Sequence, residues 1–261
     1  MNECSLNKKN IRAKRKILCY QISVIVIFLA LWEMLAYFKL INTFLVSKPS
    51  DIIKLLYQYV INNEIWSHTF ISVFETIIGL VIGTILGVFI AFILWYFPIV
   101  EKISKPYLNL LNCLPKTALA PIIIIWAGTG IKGIVVVAIS ILIVITILSA
   151  YNYFINVEEE KIKMFESFKA SRIVIFLKLI FPSNVLNIFS IIKINLGLSW
   201  VGVIVGEFLV SKKGLGYLIM YGGQVFKLDL VMMGVLVLSI CAFLMYGFIE
   251  KIEKIIIKKE G

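Results

Sequence analysis

Long apolar runs separated by short polar connections dominate the chain. Six of them reach about 20 residues or more, the length with which an α-helix crosses a hydrocarbon core of roughly 30 Å. Hydrophobic residues make up 61% of the chain and charged residues 16%, against roughly 25% charged in soluble domains. The pattern predicts an all-α, polytopic membrane protein with about six transmembrane helices. The runs are 17–38, 69–96, 107–126, 131–150, 184–207 and 230–249.

The connection between the first two runs, residues 39–68, carries a pattern of its own. Ser50 is a candidate N-cap for a short helix. One face of that helix is apolar and the other polar, as is typical of a helix lying in the membrane interface. The apolar positions are Ile52, Ile53, Leu56, Tyr59 and Val60.

Glycine recurs every four residues in the second run, at Gly79, Gly83 and Gly87. Such a stripe clears one face of a helix and lets a second helix approach closely. The alternative is that glycine is simply tolerated in lipid.

The third run contains two prolines, Pro115 and Pro121. A proline inside a helix removes a backbone donor and bends the helix, and lipid cannot pair the carbonyl group that is freed. We therefore expect a broken helix that is surrounded by protein or lines a cavity.

Positive charges are distributed unevenly between the two sides that six spans define. The side with both termini and the connections 97–106 and 151–183 collects 17 Lys and Arg residues, and the other side seven. The positive-inside rule predicts that both termini and 151–183 are cytoplasmic. Because this asymmetry accounts for much of the net charge of +11, nucleic-acid binding is not expected. The predicted parts are a basic N-terminal segment, 1–16, a transmembrane domain, 17–250, and a basic tail, 251–261.

The chain lacks the signatures of common enzymes. It has no G-x-x-x-x-G-K-[ST] phosphate loop, no metal-binding spacing among its four cysteines, and one histidine, His68. Some polar residues lie inside the runs, where they are costly and usually face a bundle interior or an aqueous path. This favours a conduit over a membrane enzyme or scaffold, although Lys116 is close enough to a span end to snorkel. These residues are Glu33, Glu75, Lys116, Lys193 and Asn195.

The connection 151–183 is the largest charged island between the runs. Such an island is either an ordinary solvated loop or a surface that meets a soluble partner. Met164, Phe165 and Phe168 are bulky apolar residues in it, spaced so that they can share one helical face. Because exposing an aromatic side chain gives no folding benefit, we expect Phe168 to be buried, against a partner or against the protein's own helices.

Several motifs together resemble one family. Pro182 is followed eleven residues later by Lys193, and then by Asn-Leu-Gly-Leu-Ser-Trp at 195–200, Glu207 and Gly-Leu-Gly-Tyr-Leu-Ile at 214–219. This set resembles the inner-membrane permease subunit of bacterial ABC importers, in the branch that carries nitrate, taurine, alkanesulfonates and bicarbonate. The resemblance covers about residues 25–250. Further matching segments are 45–51, 114–115, 118–121 and 125–128.

In that family the loop between the fourth and fifth spans carries the EAA motif, whose short helices dock into a groove of the ATPase subunit. Lys163 stands where the motif has glutamate, Phe165 where alanine is usual, and Lys169 where glycine is typical. Because lysine adopts a positive φ only at a cost of roughly 1 kcal/mol or more, the turn is expected either to be strained or to differ in geometry. The residues that the resemblance assigns to ATPase coupling are Met164, Phe165, Glu166, Ser167, Phe168, Lys169, Ala170, Ser171 and Arg172.

The resemblance also implies the working assembly. A permease homodimer in a bacterial cell membrane, embedded in lipid, would alternate access under the control of two cytoplasmic ATPase subunits. ATP would be bound by those subunits, so no cofactor or metal is expected in this chain. An extracytoplasmic binding protein would deliver the solute. The residues expected along the path are Glu75, where the branch usually has a basic residue, and Pro115, Pro121, Lys193, Asn195, Trp200 and Glu207.

The motifs are specific for the family and weak for the solute. The branch implies a small anion such as nitrate, taurine or an aliphatic sulfonate. A pyrimidine precursor of thiamin or another heterocycle is the alternative.

Overall fold

The computed structural model describes residues 3–42 and 46–260, and within these ranges the chain forms helices and no strand. Leu45 of the matching segment 45–51 lies outside the described residues, as do residues 1–2 and 261 of the two predicted terminal segments. The helices are α1 Glu3–Tyr37, α2 Pro49–Ile61, α3 Glu64–Tyr96, α4 Pro98–Cys113, α5 Ala120–Ala127, α6 Ile131–Ile155, α7 Glu159–Ser167, α8 Arg172–Ile175, α9 Phe181–Ser183, α10 Val185–Val210, α11 Leu215–Gln224 and α12 Leu228–Glu260. A 3₁₀ turn, Lys116–Leu119, precedes α5, and a π-helical turn, Phe176–Ile180, joins α8 to α9.

Five helical segments are long and apolar enough to cross a membrane within the described ranges, and α4 with α5 forms a bent pair that brings the total to six. The predicted all-α, polytopic fold is therefore confirmed. The segments are Cys19–Tyr37, Glu64–Tyr96, Ile131–Ile155, Val185–Val210 and Leu228–Lys258.

The third span differs from its prediction. The helix α4 begins at Pro98, so it includes all but the first residue of the segment 97–106, which was expected to form a polar connection. Leu114 is extended, with ψ 139°, the conformation that a following proline favours, and the two arms of the span meet at 87°. Pro115 therefore lies at the break. Pro121 does not bend a helix, because it lies in the first turn of α5, where a missing N–H has no partner to lose.

The centre of the bundle is α6, which packs between α3 and α10. In its apolar window 61% of the residues are buried, against 6% for α1, which lies at the periphery. The glycine stripe of α3 meets α6 directly: a Cβ added at Gly83 would lie 2.4 Å from Leu142 Cδ1, and one at Gly87 2.5 Å from Thr146 Cγ2. The stripe thus serves close helix packing, as the first of the two interpretations predicted.

The short helix α2 exists, but Ser50 does not cap it. The N-cap position is Lys48, and Ser50 lies in the first turn. Its backbone N–H and hydroxyl group instead donate to the Glu33 carboxylate, at 3.1 Å and 2.9 Å. The helix is also more than an interfacial one, because Ile52 is buried in a cluster with residues of α11 and α12. Glu33 therefore joins α1 to α2.

Candidate functional site

The cytoplasmic loop predicted between the fourth and fifth spans is a helix, a tight turn and a second helix. Glu159 and Glu160 in the first turn of α7 complement the helix dipole. The helix ends where Lys169 adopts a φ of +56°, so the structure shows the strained turn rather than an altered geometry. Ala170 N–H donates to the Phe165 carbonyl group at 3.1 Å and closes the turn. The Ser171 hydroxyl group accepts from Val174 N–H and caps α8.

The loop is attached firmly to the membrane domain. Phe176 of the π-helical turn lies 4.5 Å from Phe92 and 5.1 Å from Phe154, measured between ring centroids. Arg172 Nη1 donates to the carbonyl oxygen of Tyr96 at 2.8 Å, at the end of α3 where the carbonyl groups lack helical partners. Direct contacts therefore join the loop to α3 and α6.

Met164, Phe165 and Phe168 do not share one face, contrary to the prediction. Phe165 is partly buried and packs against the same cluster as Phe176, so it belongs to the protein's own core. Met164 and Phe168, four residues apart, are 52% and 80% exposed. The alternative that Phe168 packs against the protein's own helices is therefore wrong. What the loop offers to a partner is a surface made of Met164 and Phe168.

An exposed ion pair on α7 lies next to this surface. Lys163 Nζ lies 2.8 Å from Glu159 Oε1 on the outer side of α7. The hydrogen bond between them holds the pKa of Glu159 below its usual value and raises the pKa of Lys163. Both side chains are well exposed, so the pair contributes little to stability, and both groups remain available to a partner.

A buried polar cluster lies between α3, α10 and α11. Glu207 Oε1 accepts from the Ser72 hydroxyl group and Oε2 from Gly216 N–H, both at 2.5 Å. The Ser72 oxygen in turn accepts from Leu215 N–H at 2.7 Å. Glu75, one turn after Ser72 on the same face of α3, is buried beside this cluster, and each glutamate is only 1% exposed. The cluster fixes the start of α11 against α3.

Asn195 forms a second buried junction. Its amide nitrogen donates to the hydroxyl oxygens of Thr84 and Thr146, each at 2.9 Å. These three residues come from α10, α3 and α6, so the junction joins the three central helices. Trp200, 4% exposed, packs in the apolar cluster beside them.

The structure therefore separates the residues expected along the path. Glu75, Asn195, Trp200 and Glu207 lie inside the helix packing of one subunit and face no surface in this conformation. Lys193 is bound to Glu253 of α12, with 2.5 Å between Nζ and Oε2. Of the residues expected along the path, Pro115 and Pro121 are exposed. They lie at and just after the break between α4 and α5. In α4 no residue is buried, so its surface is free for a path or a second subunit.

Sequence reasoning missed Ser72 and Glu253. Ser72 precedes Glu75 by three residues, a spacing that puts both side chains on one face of α3. This spacing could have identified Ser72 as a neighbour of the buried Glu75. Nothing local marks Glu253, because it lies in a polar part of α12 and its partner is 60 residues away.

These features define the class: a polytopic α-helical membrane protein with a structured loop at one end. The sequence profile of the binding-protein-dependent transport system inner membrane component matches residues 83–258, and the chain belongs to this family. The prediction of an ABC importer permease, a transport subunit rather than an enzyme, is thereby confirmed.

Curated relatives match most of the chain at low identity. The putative aliphatic sulfonates transport permease protein SsuC of Bacillus subtilis (strain 168) is 24% identical, over 89% of this chain and 84% of its own. The taurine transport system permease protein TauC of Escherichia coli (strain K12) is 24% identical, over 86% and 83%. The formylaminopyrimidine transport permease protein ThiX of Halalkalibacterium halodurans is 26% identical, over 69% and 72%.

A solved structure shares the fold. A chain of the MetNI methionine ABC transporter, in inward-facing conformations, matches with a TM-score of 0.58 at 15% identity. The match covers 76% of this chain and 96% of that chain.

Proposed function

We propose that two copies of this chain form the translocation path of an ATP-driven importer for a small sulfonate, such as taurine or an aliphatic sulfonate. The proposal draws its solute class from SsuC and TauC, which match over more than four fifths of this chain. An extracytoplasmic binding protein delivers the solute, in keeping with the family description.

The observation that carries the proposal is the surface formed by Met164 and Phe168. Two large apolar side chains project from a polar loop that is held rigidly by Arg172 and Phe176. An apolar centre with a charged rim is the usual anatomy of a protein interface, and buried aromatic residues provide most of its energy. A separate ATPase subunit binds this surface on each permease copy, and ATP is bound there rather than by this chain.

The orientation follows from charge. The loop and both termini lie in the cytoplasm, because their side of the membrane holds 17 of the Lys and Arg residues against seven on the other. This places the surface of Met164 and Phe168 where an ATPase has access to it.

The dimer forms through a surface that includes α4. This helix has a marked apolar face, yet none of its residues is buried in the single subunit. A second copy that covers this face would also bring the breaks at Pro115 close together around a common path.

One observation favours a second solute. ThiX is 26% identical, slightly more than the sulfonate permeases, although it matches a smaller part of the chain. A formylaminopyrimidine-type solute is therefore the alternative.

The test is transport in proteoliposomes that contain the permease, its cognate ATPase and its cognate binding protein. We expect ATP-dependent uptake of labelled taurine or an alkanesulfonate, and none when the binding protein is omitted. Uptake of formylaminopyrimidine with no uptake of sulfonates would establish the alternative. A permease that binds no ATPase would contradict the proposal altogether.

A further inference from the structure

Two carboxyl groups are buried close together between α3 and α10. Glu75 and Glu207 are each 1% exposed, and Glu75 lies one turn after Ser72, whose hydroxyl group donates to Glu207 at 2.5 Å. Two ionised carboxylates that share a buried site repel strongly, so the pair holds a proton or a cation between them. The contacts of each carboxyl group indicate which of the two carries the proton.

Glu207 has the contacts of a carboxylate. The Ser72 hydroxyl group and Gly216 N–H donate to its two oxygens, each at 2.5 Å. A carboxylate with several donors is strongly favoured in its ionised form. A Cβ at Gly216 would lie 2.7 Å from Glu207 Oε2, so glycine is needed for this approach.

Glu75 has the contacts of a neutral acid. Within the part of the chain that the structure describes, its Oε2 is buried without a hydrogen bond, and Glu207 is the charged group that acts on it. A buried carboxylate without donors is far more costly than a neutral carboxylic acid in the same place. As a neutral acid, Glu75 has a proton to donate to Glu207.

We propose that Glu75 and Glu207 form a buried proton-binding site, in which the Glu75 carboxylic acid donates its proton to the Glu207 carboxylate. The ligand is a single proton. Glu207 in turn holds the Gly-Leu-Gly turn, so the proton helps to fix α11 against α3. The site is independent of the solute, and the proposal does not rest on the proposed function.

The surroundings contain few other titratable groups. Among the residues that the structure describes, Glu207 is the charged group that acts on Glu75. From α3, His68 is two turns away and bonds to the Gly214 backbone, with Lys213 and Glu64 as its charged neighbours. On α11, Tyr217 directly follows Gly216, whose N–H donates to Glu207. On the α6 side, Ala138 packs against Gly79, one turn after Glu75.

A proton held in the folded state makes folding depend on pH. In the unfolded chain Glu75 is ionised above about pH 5, so folding takes up one proton there. Stability from this site is full at acid pH and falls as pH rises, by up to tenfold in the folding equilibrium constant per pH unit.

The experiment is reversible SDS unfolding of the purified full-length chain from about pH 5 to about pH 8, the range in which free glutamate is ionised. Glu75→Gln keeps the shape and a donor for Glu207 but needs no proton. We expect its folding constant, relative to wild type, to rise by up to tenfold per pH unit. The matched control is Glu64→Gln, an exposed position on the same helix, which should follow wild type.

Glu207→Gln separates the two roles. Its amide oxygen cannot serve all the donors that the carboxylate accepts, so this variant should be less stable by a similar factor at every pH. Parallel pH profiles of wild type and Glu75→Gln would overturn the proposal, as would equal losses in Glu75→Gln and Glu207→Gln. A rise in wild-type stability with added Na⁺ or Ca²⁺ that Glu75→Gln lacks would replace the proton by a metal cation.

Infrared spectroscopy gives a second measurement that does not require unfolding. The wild-type chain should show the carbonyl band of a protonated carboxylic acid at neutral pH, and Glu75→Gln should lose it. Its absence in wild type, with the band pattern of Glu64→Gln unchanged, would show that neither glutamate carries a proton.

Discussion

The Lys193 ammonium group lies 2.5 Å from the Glu253 carboxylate and joins α10 to the C-terminal part of α12. Both side chains are largely buried, at 20% and 15% exposure, and the Tyr246 ring lies 6.0 Å from the same ammonium group. A lysine in this position is neutralised within the subunit. Within the subunit, the pair holds α10 against α12.

Removing one partner should therefore destabilise the permease. We expect Lys193→Met to lower the melting temperature of the permease, because it leaves Glu253 partly buried and unpaired. The double variant with Glu253→Gln should recover much of the loss, as a double-mutant cycle would measure. Additive losses would show that the two side chains do not interact.

The turn at Lys169 leads to a stabilising substitution. Its φ of +56° is costly for lysine and free of strain for glycine, so Lys169→Gly should slow hydrogen exchange in α7 and stabilise the loop by about 1 kcal/mol. Lys169→Ala is the control, because it removes the charge but keeps the Cβ atom. An equal effect of the two substitutions would mean that charge rather than backbone conformation is responsible.

The sequence predicted those parts of the fold that are periodic or local. Six apolar runs and the glycine stripe are visible in the spacing of the residues. The positive-φ turn was expected from the position at which the family motif has glycine. The start of α4 was missed because Glu101 and Lys105 looked like a polar connection. In the structure they form an ion pair of 3.2 Å at positions i and i+4, which allows charged residues in a helix.

The residues of the buried clusters could be picked out, but not their roles. Intramembrane Glu75, Lys193 and Asn195 were recognised as unusual and assigned to a path. Their partners come from distant segments: Ser72 and Glu207 are 135 residues apart, and Lys193 and Glu253 are 60. Such pairings depend on how the helices pack, which hydrophobic periodicity does not determine.

Two glycines of α10 test the packing against α6. A Cβ at Gly202 would lie 2.4 Å from the Ala138 Cα atom, and backbone cannot move aside cheaply. We expect Gly202→Ala to lower the melting temperature, with a loss of about 1–3 kcal/mol from overpacking. Gly197→Ala, on the same helix with nothing within 4 Å, should be neutral or slightly stabilising. Equal effects would mean that α10 and α6 are not this close.

The orientation is open to labelling from outside intact cells. With the native cysteines replaced, a cysteine at Glu158 should resist a membrane-impermeant reagent, and one at Lys212 should react. The expectation rests on the distribution of Lys and Arg, 17 against seven. Labelling at 158 but not at 212 would show that the topology is reversed. The surface formed by Met164 and Phe168 would then lie outside the cytoplasm.

Phe165 of α7 and Phe168, the residue that directly follows this helix, should have opposite phenotypes. Phe168 is 80% exposed, so Phe168→Ala should leave permease melting unchanged. If it is an anchor for the ATPase, its truncation should weaken ATPase binding by about 2 kcal/mol, roughly thirty-fold, and uncouple hydrolysis from transport. Phe165→Ala should instead destabilise the permease by about 1–3 kcal/mol, less than for a fully buried phenylalanine, because Phe165 is partly buried in the cluster around Phe176.

Both quantities are measured on each variant, as melting of the permease alone and as ATPase affinity in the complex. Wild-type ATPase binding and solute-stimulated hydrolysis in Phe168→Ala would exclude Phe168 as the anchor, whatever Phe165→Ala does.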